Sequence, residues 1–144
     1  MNDELLRRSE AYLDGLFGPG AGGRHTRFLE HLDDEALREA LHRCHVMEAD
    51  VSVLSVEENY LLGLCVLAAL RSYGPAAMFA KTLAHLGVPR AKILAAVSRL
   101  SMWVGPIQAA EAAAEIQRAI REFERHGLDS LKAWFPSAPE DKHG

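Results

Sequence analysis

LSVEENYLLGLCVLAAL, residues Leu54–Leu70, decides the fold. Ser55 and Glu58 stand three positions apart at its start. That is a capping box, in which a hydroxyl and a carboxylate satisfy the free amides of a first helical turn. From Leu61 to Leu70 apolar side chains point in nearly every direction around a helical wheel. Such a segment is expected to be the buried central helix of an all-α protein. It is far too short to cross a bilayer, so no membrane span is expected.

Working outward, the same periodicity continues. Residues 2–17 are amphipathic, with Leu5, Leu6, Tyr12, Leu13 and Leu16 as apolar positions. The glycine-rich run Gly18–Gly23 breaks that helix and reads as a loop. It lacks the Lys-Ser/Thr ending and the preceding strand of a phosphate cradle. A helix over about 34–47 follows, with Leu37, Leu41 and Cys44 along one stripe. Beyond the central helix, Gly74–Pro75, Gly87 with Pro89, and Gly105–Pro106 each set a helix-ending glycine before a helix-starting proline. They bound helices of roughly 75–86, 89–104 and 106–126. Gly127 ends the last of these, residues 128–135 add a short helix with Leu131 and Trp134, and 136–144 read as a flexible tail. The expectation is a single all-α domain over 1–135, a bundle of about six to seven helices.

Composition narrows the function. Hydrophobic residues make up 49% of the 144, enough for one packed core. The formal net charge is −4 and no long basic block occurs, so nucleic acid is not an expected partner. The first residues are charged and carry no apolar leader. Cys44 and Cys65 stand too far apart in sequence for a CxxC pair and are too few for a disulfide framework. A reducing cytoplasm is the expected location.

Three segments carry a resemblance. Leu54–Leu70 is similar to the opening helix of the carboxymuconolactone decarboxylase/AhpD family, and Ala80–Ile93 to its Ala-Leu-x-x-Gly segment with a following Thr or Pro. Ser101–Ala110 resembles its Tyr-x-Gly-x-Pro-x-Ala turn. Leu16-Phe17-Gly18 and Phe28-Leu29-Glu30 are similar to the longer decarboxylase branch, so the resemblance covers most of 12–124. It implies an AhpD-like helical bundle, a small-molecule substrate, and a homo-oligomer, trimer or hexamer. The departures fall where the family keeps its reactive groups. Counting back from Gly87, the family glutamate, the two cysteines and the histidine fall on Tyr60, Ser72, Pro75 and Phe79. A thiol peroxidase needs a low-pKa thiolate and a resolving thiol, so AhpD-type peroxidase chemistry is not expected.

The family pocket implies Tyr60, Ser72, Tyr73, Phe79 and Trp103 around one apolar cavity, with Ser72, Tyr73, Phe79 and Trp103 binding substrate. Tyr60 would donate to a carbonyl or enolate oxygen; the alternative is that Phe79 and Trp103 are plain core residues. Glu48 extends the stripe of Leu37, Leu41 and Cys44, so burial would lift its pKa towards that of a general acid or base. His45, three residues earlier, would share its proton. The alternative for Glu48 and His45 is a solvated helix end with ordinary surface histidines, and that is how His42 reads. A metal at these residues would need a second helix with the same His and carboxylate steps, and the chain has none. No metal or cofactor is expected. The leading expectation is a thiol-independent lyase, isomerase or cyclase on an unsaturated acid, lactone or polyketide-like substrate, with Glu48, His45 and Tyr60 catalytic. The alternative is a non-catalytic oligomeric scaffold that has lost the family site.

Overall fold

Asn2 starts the first helix by accepting the Glu4 amide on its side chain, and the chain stays helical through α1, Asp3–Phe17. The computed structural model describes residues 1–134, and among them every regular element is helical. After α1 come α2 (Ala21–Leu29), α3 (Glu35–Glu48), α4 (Val56–Ala69), α5 (Tyr73–His85), α6 (Arg90–Arg99), α7 (Ser101–Val104) and α8 (Pro106–His126). A 3₁₀ segment, Gly127–Trp134, closes the described chain and buries Leu131. The expected tail, 136–144, lies outside the described residues. The described residues divide into two compact units, Met1–Val53 with Lys132–Trp134, and Leu54–Leu131.

In the first unit, α1 packs on both α2 and α3. The loop expected over Gly18–Gly23 is in fact a short turn, and Gly22 and Gly23 are helical. Two features of α1 account for this. Asp14 accepts the Gly22 amide at 2.8 Å, doing for α2 what a capping side chain does. A Cβ on Gly22 would stand 2.4 Å from the Glu10 carbonyl oxygen, so glycine is what lets the two backbones touch. Gly22→Ala is therefore expected to destabilise the protein by about 2 kcal/mol, since backbone cannot yield as a side-chain tip can. An unchanged thermal midpoint in this variant would contradict the packing.

The expected stripe on α3 also needs correction. Leu37 is 46% exposed and Cys44 is exposed, while His42 is 1% exposed. The helix is turned so that an imidazole, not a leucine row, meets its neighbours. The partner that makes this tolerable is Ser9, as described below.

The second unit is built on α4 and α8, both in contact with α5 and α6. The capping box at Ser55 and Glu58 is present in both directions. Leu64 and Ala68 of α4 are fully buried, with Leu83, Ile93, Val97 and Ile116 from the surrounding helices. The central helix is not buried all round, however: Leu62, Val66 and Leu70 are 56%, 49% and 72% exposed. The expected helix over 89–104 divides into α6 and α7.

The α4–α5 junction differs from expectation in an informative way. Gly74 lies inside α5, and the left-handed residue that ends α4 is Arg71, at φ 57°. Ser72 and Arg71 donate their amides back to Leu67 and Ala68, the same pattern that Val88 and Gly87 make at the end of α5. Glycine occupies the strained position in one case and arginine in the other, where a Cβ carries a steric cost. Lys81, 7% exposed, ties the 3₁₀ segment to this unit through the Ser130 carbonyl at 3.0 Å and the Glu122 carboxylate at 3.1 Å.

Candidate active site

The densest group of titratable side chains lies in the first unit. Ser9 and Tyr12 come from α1, His25 from α2, and His42, His45 and Glu48 from α3. The buried row of α1 is Ser9, Leu13, Leu16 and Phe17, so a serine holds a position that periodicity gives to a leucine. Its Oγ lies 2.8 Å from Nδ1 of His42 and 3.1 Å from Nδ1 of His45. On α3, the three-residue steps from His42 to His45 to Glu48 keep these side chains on adjoining faces. His25 meets His45 edge to face with ring centroids 4.8 Å apart, and His42 at 6.2 Å.

This surrounding sets the protonation states. Burial drives His25 down to about 4, helped by the neighbouring His42. His45 falls to about 4 through burial, then through His25 and His42. Burial also lowers His42, against an opposing pull from Glu10. All three imidazoles are therefore neutral at pH 7 and able to accept a proton. Glu48 moves the other way: burial raises its carboxyl above the ordinary value, and a hydrogen bond from Tyr12 restrains the rise. The usual order is thus inverted: the imidazole of His45 becomes a weaker base than usual and the carboxyl of Glu48, one helical turn away, a weaker acid.

With the Nδ1 atoms of His42 and His45 both turned to one hydroxyl, the rings are not aimed at a common ion. Among the described residues no group of three or more His, Cys, Asp or Glu is arranged to hold a metal.

The remaining sequence candidates belong to the second unit. Tyr60 is 5% exposed, and its ring lies 4.9 Å from that of Phe79. Phe79 packs against α4 at Gly63, where a Cβ would stand 2.3 Å from the ring. These two aromatics form one tilted pair, Tyr60 buried and Phe79 half-buried. Ser72 precedes α5 without a capping side-chain bond, and the Tyr73 hydroxyl donates to Glu111 at 3.2 Å. Trp103 is 74% exposed on α7. A cleft of about 450 Å³ in this unit is lined by Ala84, Val88, Ile120, Phe123 and the Arg90–Glu124 pair, none of them a sequence candidate. Both cysteines are free, and burial pushes the Cys65 thiol up, away from the thiolate a peroxidase uses.

Three members of the group were not legible as site residues. Ser9 left one signal, a hydroxyl in an apolar row. His25 lies between the glycine run and the helix expected from about 34, in a stretch that carries no clear helical signal. His42 reads as a surface side chain because nothing in the sequence near it signals a buried partner. Compared with known proteins, the chain matches no family model, no curated protein and no solved structure.

Proposed function

We propose that this protein is a thiol-independent small-molecule enzyme of the carboxymuconolactone decarboxylase/AhpD kind, acting as a lyase, isomerase or cyclase by proton transfer. Its substrate is an unsaturated acid, a lactone or a polyketide-like carbonyl compound. Proton transfer falls to Glu48 and His45, which share the proton taken from carbon between carboxyl and imidazole. The observation behind this reading is the pairing on α3 of an imidazole held neutral with a carboxyl raised by burial, both in contact with partners that orient them. Tyr60 pairs with Phe79 inside the second unit and is a separate candidate donor to a carbonyl or enolate oxygen.

The test is solvent deuterium wash-in next to the carbonyl of a panel of unsaturated acids and lactones, followed by mass spectrometry. Exchange by the wild type that is lost in Glu48→Gln supports the reading. Exchange that is equal in both removes Glu48 from the chemistry, and no exchange across the panel favours the scaffold alternative.

Assembly is part of the proposal. Leu62, Val66 and Leu70 recur every four residues on one exposed face of α4. Gln108 bonds the Ala69 carbonyl at 2.6 Å, which brings Ile107, 77% exposed, to the same end of the unit as Leu70. Monomers rarely leave so continuous an apolar surface in water. A homo-oligomer, trimer or hexamer, buries it, and the two free thiols suit a reducing cytoplasm. Light scattering should give a multiple of the chain mass, shifted towards the monomer by Val66→Glu. A stable wild-type monomer at micromolar concentration would refute this.

A further inference from the structure

The Ser9 hydroxyl has one proton and two imidazole neighbours. Ser9 is 0% exposed, so water cannot take up what its partners leave unmet. Ser98 and Ser130 send their hydroxyl protons to backbone carbonyls of their own helices, at 2.9 Å and 2.8 Å. Ser9 instead meets Nδ1 of His42 and Nδ1 of His45. If both nitrogens were bare, one lone pair would face the hydroxyl oxygen with no proton between them. If both carried protons, the buried hydroxyl hydrogen would have no acceptor. Complete pairing requires one of each, so the two histidines hold opposite tautomers. The distances say which is which. An O–H donor generally makes a shorter bond than an N–H donor, and the two contacts differ in that sense. The 2.8 Å contact is then Ser9 donating to His42, and the 3.1 Å contact is His45 donating to Ser9.

We propose that Ser9 is a positioning residue that fixes His45 as the Nδ1–H tautomer, leaving its Nε2 bare as a base, and links it to His42 as a proton store. The proposal rests on the reading of His45 as the base and adds the residue that prepares and relieves it. The relay balances as follows. His45 accepts a proton at Nε2 and becomes the imidazolium. Its Nδ1–H bond breaks as that proton passes to Oγ of Ser9, while the Ser9 proton passes to Nδ1 of His42. Ser9 ends as a neutral hydroxyl, His45 as neutral imidazole with its proton on Nε2, and His42 as the imidazolium. The charge has moved from His45, which lies beside Glu48, to the fully covered His42. Glu10 on α1 is the carboxylate that favours a positive charge there. His25, edge-on to both rings, opposes a charge on either. Reversal of the same steps returns the proton.

Nitrogen-15 spectra of histidine-labelled protein at pH 7 test this without any substrate. The expected result is a protonated Nδ1 and a bare Nε2 on His45, with the reverse on His42. Ser9→Ala should let His45 relax into a mixture of tautomers, and Ser9→Thr, which keeps the hydroxyl, should retain the single form. The wild-type spectrum decides even if neither variant folds: the same tautomer on both rings, or a bare Nδ1 on His45, overturns the proposal. Opposite tautomers in a protein without deuterium wash-in would keep the bridge and discard the catalytic reading. Wash-in lost in Glu48→Gln but with matching tautomers would do the reverse.

Discussion

Glu48→Gln is expected to lower turnover by about 10²- to 10⁴-fold, the usual contribution of a positioned general acid or base. The amide has nearly the shape of the carboxyl and still accepts a hydrogen bond from Tyr12, the partner that orients Glu48. What it cannot do is carry a proton. The fold should not suffer. Burial raises the pKa of Glu48, so the folded state prefers it protonated, and its contribution to stability is lost as pH rises above that raised value. An uncharged glutamine escapes that loss. The variant should thus be inactive and at least as stable as the wild type near pH 7. Equal loss of activity and stability would mean that Glu48 is structural.

The second large effect is acid sensitivity. His25 and His45 are held near 4, against 6.5 for an ordinary histidine. Between those values the unfolded chain binds protons that the folded chain refuses, so stability is lost as pH falls from 6.5 towards 4. Two such gaps in a fully dry site would amount to roughly 3 kcal/mol each. Both rings are part-exposed, and screening by solvent reduces the total to about 3 kcal/mol. Glu48 works in the opposite direction, since lowering the pH removes its buried charge. Asp50 and Glu58, held below their usual values by hydrogen bonds from Ser52 and Ser55, add to the loss only at the acid end of the range. Urea unfolding at pH 7 and pH 4.5 should differ by this amount. The double variant His25→Phe, His45→Leu should flatten the dependence over the same interval, and an unchanged slope in that variant would locate the acid response elsewhere.

Much of the helical layout was legible because its signals are local. The Ser55–Glu58 box, the proline that opens α8 and the glycine at 127 each act within a turn of where they stand. What was not legible depends on a second element. Gly22 is helical because Asp14 caps it and Glu10 touches it, and neither is visible from the glycine run alone. Arg71 takes a conformation that composition assigns to glycine. His42 was expected at the surface because a sequence does not say that a serine 33 positions earlier supplies its partner. His45 and Glu48 could be singled out as candidates because their spacing lies on one helix. Ser9 and His25 were missed because they come from two others.

The chemistry assigned to His45 and Glu48 depends most on the imidazoles of the first unit being partnered and neutral, rather than solvated at a helix surface. A proton NMR titration of the histidine ring signals measures this directly. His25 and His45 should hold constant shifts from pH 7.5 down to about 5 and titrate with midpoints near 4. Midpoints close to the ordinary 6.5 would contradict the cluster, and with it the chemistry assigned to His45 and Glu48.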